Sequence, residues 1–327
     1  MSRPMDLASL SLDLDDRWAY LKSAGDASWT GYPSYLDRFV PLLLAEMAAA
    51  GVRITVFVVG RDAADTRHGD TLAAIARAGH EIASHSFRHD TWLHRYAPGE
   101  LRDELARADD AIARISGRRP VGFRGPGFAW SADLFTALAE RGYRYDSSVL
   151  PTWIGPLAQR FFARRTRPAP TAHGERIPIF GSYGDARRPN RPWRMTLAGG
   201  GSIVELPVTT APGLRTPFHM TYLLFLAERS ETLMRTYLRG TLAACRAANN
   251  PPNFLLHPLD FMGADLVPDL AFFPGMRLPS REKQRIVRET LAALVASFEL
   301  GPVSERVERL FGTVPEPAAA GAAVERG

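Results

Sequence analysis

The chain has very little cysteine: a single residue, Cys245, among 327. One thiol excludes an intramolecular disulfide and a zinc knuckle built on several cysteines, so any metal must be held by His, Asp or Glu. The sequence also lacks a run of about 18 apolar residues, which a membrane-spanning helix would need. Its first residues have no apolar core of the signal-peptide kind. These absences predict a cytoplasmic protein that needs no oxidising compartment.

Positive charge is concentrated in one segment. The net charge is +5, and residues 159–194 contain nine arginines against two acidic residues, Glu175 and Asp185. Such a patch suits an anionic membrane surface, phosphate or nucleic acid, or is simply a solvated surface. Apolar and aromatic residues at 161–162 and 217–226 favour a peripheral contact with the inner membrane surface, and packing on the protein itself is the alternative. No nucleic-acid partner is expected.

The first 150 residues alternate between strand and helix patterns. Apolar, β-branched runs such as 52–59 predict buried strands. The clearest helix is 99–115, where apolar residues recur every three or four positions before Gly117. Single helices are also predicted at 222–248 and 281–298.

Repeated β–α units imply parallel strands covered by helices. The sequence therefore predicts an α/β fold: a distorted (β/α) barrel of about seven parallel strands, with an irregular insertion in the second half. One domain is expected over residues 1–312, with the insertion at about 151–200. The tail at 313–327 is rich in Ala, Gly, Pro and Glu, a composition typical of disorder.

Polar groups suited to catalysis follow several predicted strands, where β/α barrels carry their active sites. Singly, each has an ordinary explanation: adjacent aspartates begin helices, paired histidines lie on surfaces, and Arg-Gly-Pro forms turns. Five such groups, each at the end of a strand, indicate one site. In chain order they are Asp13-Leu14-Asp15-Asp16, His85-Ser86-Phe87-Arg88-His89, Arg124-Gly125-Pro126, Asp146-Ser147-Ser148 and Leu255-Leu256-His257-Pro258.

These motifs, in this order, resemble those of the polysaccharide deacetylase family, the NodB-homology group of carbohydrate esterase family 4. That family has Thr-Phe-Asp-Asp, His-[Ser/Thr]-x-x-His, Arg-x-Pro, an Asp-containing segment followed by an aromatic, and Leu-x-His. Here they read LDLDD, HSFRH, RGP, YDSSVLPTW and LLHP. The resemblance spans roughly residues 10–260. The first motif departs from the pattern, with Asp13-Leu14 where Thr-Phe is usual.

The resemblance implies a divalent metal ion bound by Asp16, His85 and His89. Two imidazoles and one carboxylate leave coordination positions open for water and the acyl oxygen. Zinc is expected first, with cobalt and nickel as alternatives that this donor set also accepts. The resemblance further implies that Asp15 is the general base, held by a charge-assisted hydrogen bond from Arg124.

Hydrolysis of an amide also needs a proton for the leaving amine. His257 fits as that general acid, and Asp146 is the carboxylate expected to orient it. Trp153 is a candidate wall for a sugar ring, with ordinary packing as the alternative.

The predicted function is hydrolysis of an N-acetyl or other N-acyl group from an amino sugar in a glycan, glycolipid or sugar intermediate. A deformylase acting on a lipid-linked amino sugar is one alternative, and a barrel that binds glycans without catalysis is another. Asp13-Leu14-Asp15 also resembles the Asp-x-Asp start of haloacid-dehalogenase-type phosphatases. Arg17 stands where those proteins have Thr or Val, and the histidines would be unexplained.

Overall fold

The structure, a computed structural model, describes residues 6–163, 183–198 and 200–312, without the side chains of 161–163. The predicted disordered tail at 313–327 lies outside the described residues. So does much of the arginine-rich segment, together with the aromatic side chains of Phe161 and Phe162. The single domain over 1–312 stays a prediction.

Within these ranges the secondary structure alternates as the sequence predicts. The strands are β1 (Leu7–Leu14), β2 (Thr55–Val58), β3 (Glu81–Ser84), β4 (Gly122–Phe123), β5 (Tyr145–Asp146), β6 (Trp193–Thr196), β7 (Ser202–Glu205), β8 (Asn253–Leu256) and β9 (Glu299–Gly301). The helices are α1 (Arg17–Ala24), α2 (Leu36–Ala50), α3 (Gly60–Ala64), α4 (Gly69–Arg77), α5 (Pro98–Ser116), α6 (Ala132–Glu140), α7 (Gly155–Ala163), α8 (Met220–Ala227), α9 (Glu231–Ala247), α10 (Ser280–Val295) and α11 (Val303–Phe311).

The strands form one sheet in the order β6-β7-β5-β4-β3-β2-β1-β8, with β9 added beside β1. Neighbouring strands run parallel except β6 and β7, which are antiparallel. The segment after β7 reaches the start of β8, where the backbone N–H of Thr209 donates to the carbonyl of Asn253 (3.2 Å). The predicted α/β class with a distorted barrel is confirmed.

Strand β1 pairs with three strands, β2, β8 and β9, and is buried along its whole length. Side chains alternate across a strand, so the leucines at its even-numbered positions pack against the helices in the main core. Ser9, Ser11 and Asp13 face the barrel interior, where Ser9 donates to Asn253 (3.1 Å) and Ser11 accepts from Arg124 (3.1 Å). The interior is therefore polar along β1.

The helix predicted at 222–248 is in fact two helices, and this prediction is wrong. The chain breaks between α8 and α9, where the Ser230 hydroxyl accepts from the backbone N–H of Leu233 (3.2 Å) and caps α9. Serine competes with the helix for backbone donors, which favours a new start. None of the described helices has both the length and the apolar character needed to cross a bilayer.

Helix α11 covers the end of the barrel where the strands begin. The backbone N–H of Val303 donates to Thr55 (2.7 Å), and the buried Arg306 donates to the carbonyl of Pro251 (2.6 Å). Burial lowers the pKa of Arg306 to about 10. With this end covered, access to the polar interior comes from the opposite end, where the strands finish.

Candidate active site

Three side chains meet where β1 and β3 end. Nε2 of His89 lies 2.9 Å from Oδ1 of Asp15, and Nε2 of His85 lies 3.3 Å from the same oxygen. All three residues are buried, and one potential ligand atom from each lies within 4.8 Å of the others. Burial opposes ionisation of Asp15, but His89 and His85 hold its pKa below the ordinary range. This donor set fits a divalent ion of the zinc type.

The two histidines stand on a tight turn and not on a helix. Ser86 and His89 have positive φ angles of 61° and 54°, a region that residues other than glycine rarely occupy. The buried carboxylate of Glu104 on α5 holds the turn by accepting from the backbone N–H groups of Phe87 (2.9 Å) and Arg88 (2.6 Å). The four-residue spacing therefore brings both rings to one side through turn geometry.

His85 is presented in the tautomer that a metal requires. Its Nδ1 lies 2.7 Å from the carbonyl oxygen of Arg124, so Nδ1 carries the hydrogen and donates it. The lone pair of Nε2 is left facing Asp15. The hydrogen bond at Nδ1 therefore orients the His85 ring so that Nε2 can ligate a metal ion.

Asp16, the predicted third ligand, is not part of this cluster. Its Oδ1 accepts from the backbone N–H groups of Arg17 (2.7 Å) and Tyr35 (2.9 Å), so it caps the start of α1. The period-two alternation of β1 explains the difference, because Asp13 and Asp15 point to the barrel interior and the next residue turns away. The group that could hold a metal ion is therefore Asp15 with the two histidines.

Arg124 contacts Asp13, not Asp15 as predicted. Its Nη1 lies 2.6 Å from Oδ1 of Asp13, and the guanidinium is fully buried. Nε and Nη2 donate to the carbonyl (2.9 Å) and hydroxyl (2.8 Å) of Ser147. The guanidinium lies over the ring of Phe57, 4.2 Å from its centre. These contacts fix the orientation of the Asp13 carboxylate.

The Arg-Gly-Pro turn places this arginine. The N–H of Gly125 donates to the hydroxyl of Ser148 (2.8 Å). A Cβ on Gly125 would lie only 2.0 Å from the carbonyl oxygen of Ala129. The turn therefore needs glycine for close backbone approach, and a larger residue would displace Arg124.

His257 follows β8 and faces Asp13. Its Nε2 lies 3.8 Å from Oδ2 of Asp13, and its Nδ1 lies 3.1 Å from the hydroxyl of Thr221. Its backbone N–H donates to Oδ2 of Asp260 (2.7 Å). Burial acts to lower the pKa of His257, but the Asp260 and Asp13 carboxylates raise it above the ordinary value.

Asp146, predicted to orient His257, lies elsewhere, and that prediction is wrong. Its carboxylate accepts from the hydroxyl (2.7 Å) and N–H (2.8 Å) of Ser148, and it shares a hydrogen bond with Glu205 opposite it on β7. Burial raises the pKa of both carboxyl groups, and that of Glu205 lies well above its ordinary value. The carboxylate beside His257 is Asp260, which comes only three residues later and which the sequence analysis missed.

A cavity of about 460 Å³ opens over these groups, with Asp13, Asp15 and the three histidines His85, His89 and His257 at one end. A fourth histidine, His219 at the start of α8, also lines it. Its ring centre lies 6.4 Å from that of His257.

Burial lowers the pKa of His219 to about 4, which keeps the ring neutral. No motif pointed to His219, because the packing of α8 over the barrel mouth alone brings it there.

Two segments singled out in the sequence meet the cavity differently. Trp153 is not among the described lining residues, and its Nε1 donates to the carbonyl of Leu214 (2.9 Å). Pro217, Tyr222 and Phe225, from the segment considered for membrane contact, line the cavity. The membrane contact itself stays a prediction.

Comparison with known proteins supports the resemblance found in the motifs. The polysaccharide deacetylase family model matches residues 26–145, which contain the histidine pair and Arg124. Peptidoglycan deacetylase-like protein FGM2 of Gibberella zeae is 33% identical over 76 residues, 23% of this chain and 22% of that protein. The match thus spans about a fifth of that relative's length. These matches confirm the resemblance to the polysaccharide deacetylase family.

Two solved structures share the fold along nearly the whole chain. One, from Mycobacterium smegmatis and described as a polysaccharide deacetylase, has a TM-score of 0.56 at 22% identity and covers 98% of this chain and 97% of its own. The other, Puue allantoinase, has a TM-score of 0.56 at 14% identity and covers 96% of each chain. Such identities establish the fold alone, and the two proteins are named for different reactions. The reaction must therefore be argued from the site.

Proposed function

We propose that this chain, with its resemblance to the polysaccharide deacetylase family, is a metal-dependent hydrolase that removes an N-acetyl or other N-acyl group from an amino sugar. The observation that carries the proposal is the convergence of Asp15, His85 and His89 at the polar end of the cavity. The family resemblance supplies the substrate class, an acylated sugar.

The three residues would hold a divalent cation through Oδ1 of Asp15 and Nε2 of each histidine. Zinc is proposed first, with cobalt and nickel as the alternatives that the same donors accept. When bound, such an ion polarises the acyl carbonyl and makes water more acidic.

Asp13 is the proposed general base, in place of Asp15. Arg124 occupies its Oδ1 at 2.6 Å, which leaves Oδ2 to accept a proton from the attacking water. The water oxygen forms the new bond to the acyl carbon. Both histidines face Oδ1 of Asp15, which assigns that carboxylate to the metal and Asp13 to the role of base.

His257 is the proposed general acid. Its Nε2 faces the same carboxylate at 3.8 Å, and the pKa raised by Asp260 and Asp13 favours the protonated ring. It donates its proton to the amide nitrogen as the carbon–nitrogen bond breaks, so the products are a carboxylic acid and a free amine.

The test measures bound metal and amine release together, on N-formyl and N-acetyl amino sugars. We expect about one equivalent of metal and metal-dependent release in the wild type. His85→Ala combined with His89→Ala should lose both. His94→Ala, which changes a half-buried histidine outside the cluster, should keep both.

Two results would count against the proposal in different ways. A wild-type protein that binds no divalent metal would contradict the ligand set. Stoichiometric metal without amine release from any acylated amino sugar would contradict the hydrolase and favour the alternative of a glycan-binding barrel.

A further inference from the structure

The cavity has two chemically different ends. The polar end holds the Asp15–His85–His89 cluster together with Asp13 and His257. The wall beyond it comes from the loop after β4, the segment around α7, helix α8 and the loop before α10. Its side chains are chiefly apolar, and they include Phe128, Leu150, Ile154, Leu157, Phe225 and Phe273.

This wall offers little to the hydroxyl groups of a sugar. The described residues that line the cavity include no Asn, Gln, Lys or Arg. Two of the six described lining hydroxyl groups are already committed, because Thr152 donates to the carbonyl of Arg215 (2.8 Å) and Thr221 to Asp260 (2.8 Å). Burying sugar hydroxyls without partners is costly, whereas burying an apolar group against such a wall is favourable.

The cavity has room for more than an acyl group. Pockets of about 300–1,000 Å³ typically hold small-molecule ligands, and the apolar wall favours a ligand with an apolar part. At about 460 Å³, this cavity lies within that range. An acetyl or formyl group at the metal-binding end would leave the apolar end of the cavity unfilled.

We propose that the substrate carries an alkyl or aromatic group, which occupies the apolar end while the amide lies at the Asp15–His85–His89 cluster. The inference rests on the proposed N-acyl hydrolase function and narrows it to amphipathic amides. The apolar group belongs either to the acyl chain or to the aglycone of the amino sugar, and both sources use the same wall.

The first experiment compares kcat/KM for four substrates. N-acetyl-, N-butyryl- and N-octanoylglucosamine test the acyl chain, and octyl N-acetylglucosaminide tests the aglycone. We expect one of the two series to rise by roughly two- to fourfold for each buried methylene. The series that rises identifies the source of the apolar group.

Two leucines provide a matched pair of variants. Leu157 on α7 lines the cavity and is 46% exposed, and Leu233 on α9 lies outside it and is 49% exposed. Leu157→Asp should lower the octyl or octanoyl preference by about tenfold. Leu233→Asp should leave that preference unchanged. Equal turnover of all four substrates, with no effect of Leu157→Asp on their ratio, would overturn the inference while leaving the hydrolase intact.

A binding measurement separates the two proposals, because it needs no turnover. The two competing ligands are octanoate and octyl glucoside, the latter below its micelle concentration. Both should displace anilinonaphthalene sulfonate from the wild type and from Leu233→Asp. They should do so about tenfold less effectively with Leu157→Asp. This result without hydrolysis of any amide would retain the apolar site and reject the hydrolase. Failure of both ligands to compete in the wild type would reject the apolar site.

Discussion

Two groups of buried aspartates near the end of the barrel differ in what surrounds them. Asp13 and Asp15 lie at the polar end of the cavity, beside histidine rings. Asp16 and Asp146 lie behind it, where backbone N–H groups and Glu205 engage them. All four residues are aspartates, and Asp15 and Asp16 are even neighbours in the chain. The role follows from the direction of each side chain, which decides whether an oxygen meets the cavity or the backbone.

Asp13→Asn should produce the largest effect. Asparagine can still accept from Arg124 but cannot take a proton from water, so kcat should fall by about 10²–10⁴-fold with the metal retained. The matched control is Asp16→Asn, which should keep activity within about threefold because asparagine is also a good N-cap. Metal content and kcat are measured on both. Loss of metal and activity in the Asp16 variant, with a normal Asp13 variant, would restore the sequence-based assignment and break the comparison.

His219 should make the stability of the folded protein sensitive to acid. Its pKa is about 4 in the folded protein and about 6.5 in an unfolded chain, so the unfolded state binds the proton first. The contribution of the neutral His219 ring to the free energy of unfolding is therefore fully present above about pH 6.5. It is lost as the pH drops toward 4. The loss should reach about 2 kcal/mol by pH 4.5. Urea unfolding of wild type and His219→Asn between pH 7 and 4.5 isolates this contribution. Parallel pH profiles for the two proteins would show that the ring titrates normally.

Asp16→Ala should have the smallest effect, on stability and not on the metal. Removing the cap of α1 should cost about 1 kcal/mol. Asp26→Ala is the control, because Asp26 accepts from the N–H of Ser28 (2.9 Å) in an exposed turn and should cost less. Thermal unfolding and metal content are compared. A metal-free Asp16→Ala protein would mean that this carboxylate reaches the cavity.

Local sequence patterns predicted most of the fold and the neighbourhood of the site. Apolar periodicity located α5 within one residue at each end, and β2 lies inside the apolar run at 52–59, because burial selects side chains by their spacing. The alternation of side chains in β1 also distinguishes Asp13 and Asp15 from Asp16. The distinction appears only when the period of two is extended past the end of the strand. The histidine pair and Arg124 were found through their motifs.

The sequence by itself determined the α/β class, the order of the polar groups at the strand ends and the presence of two histidines suited to a metal. Only the tertiary structure decided that Asp15 meets those histidines, that Arg124 holds Asp13, and that Asp260 lies beside His257. It also brought His219 and the apolar wall to the cavity. The physical reason is that periodicity and turn preferences are local properties of the chain. The partner of a buried charge depends on which side chains the closed sheet and its covering helices bring within hydrogen-bonding distance.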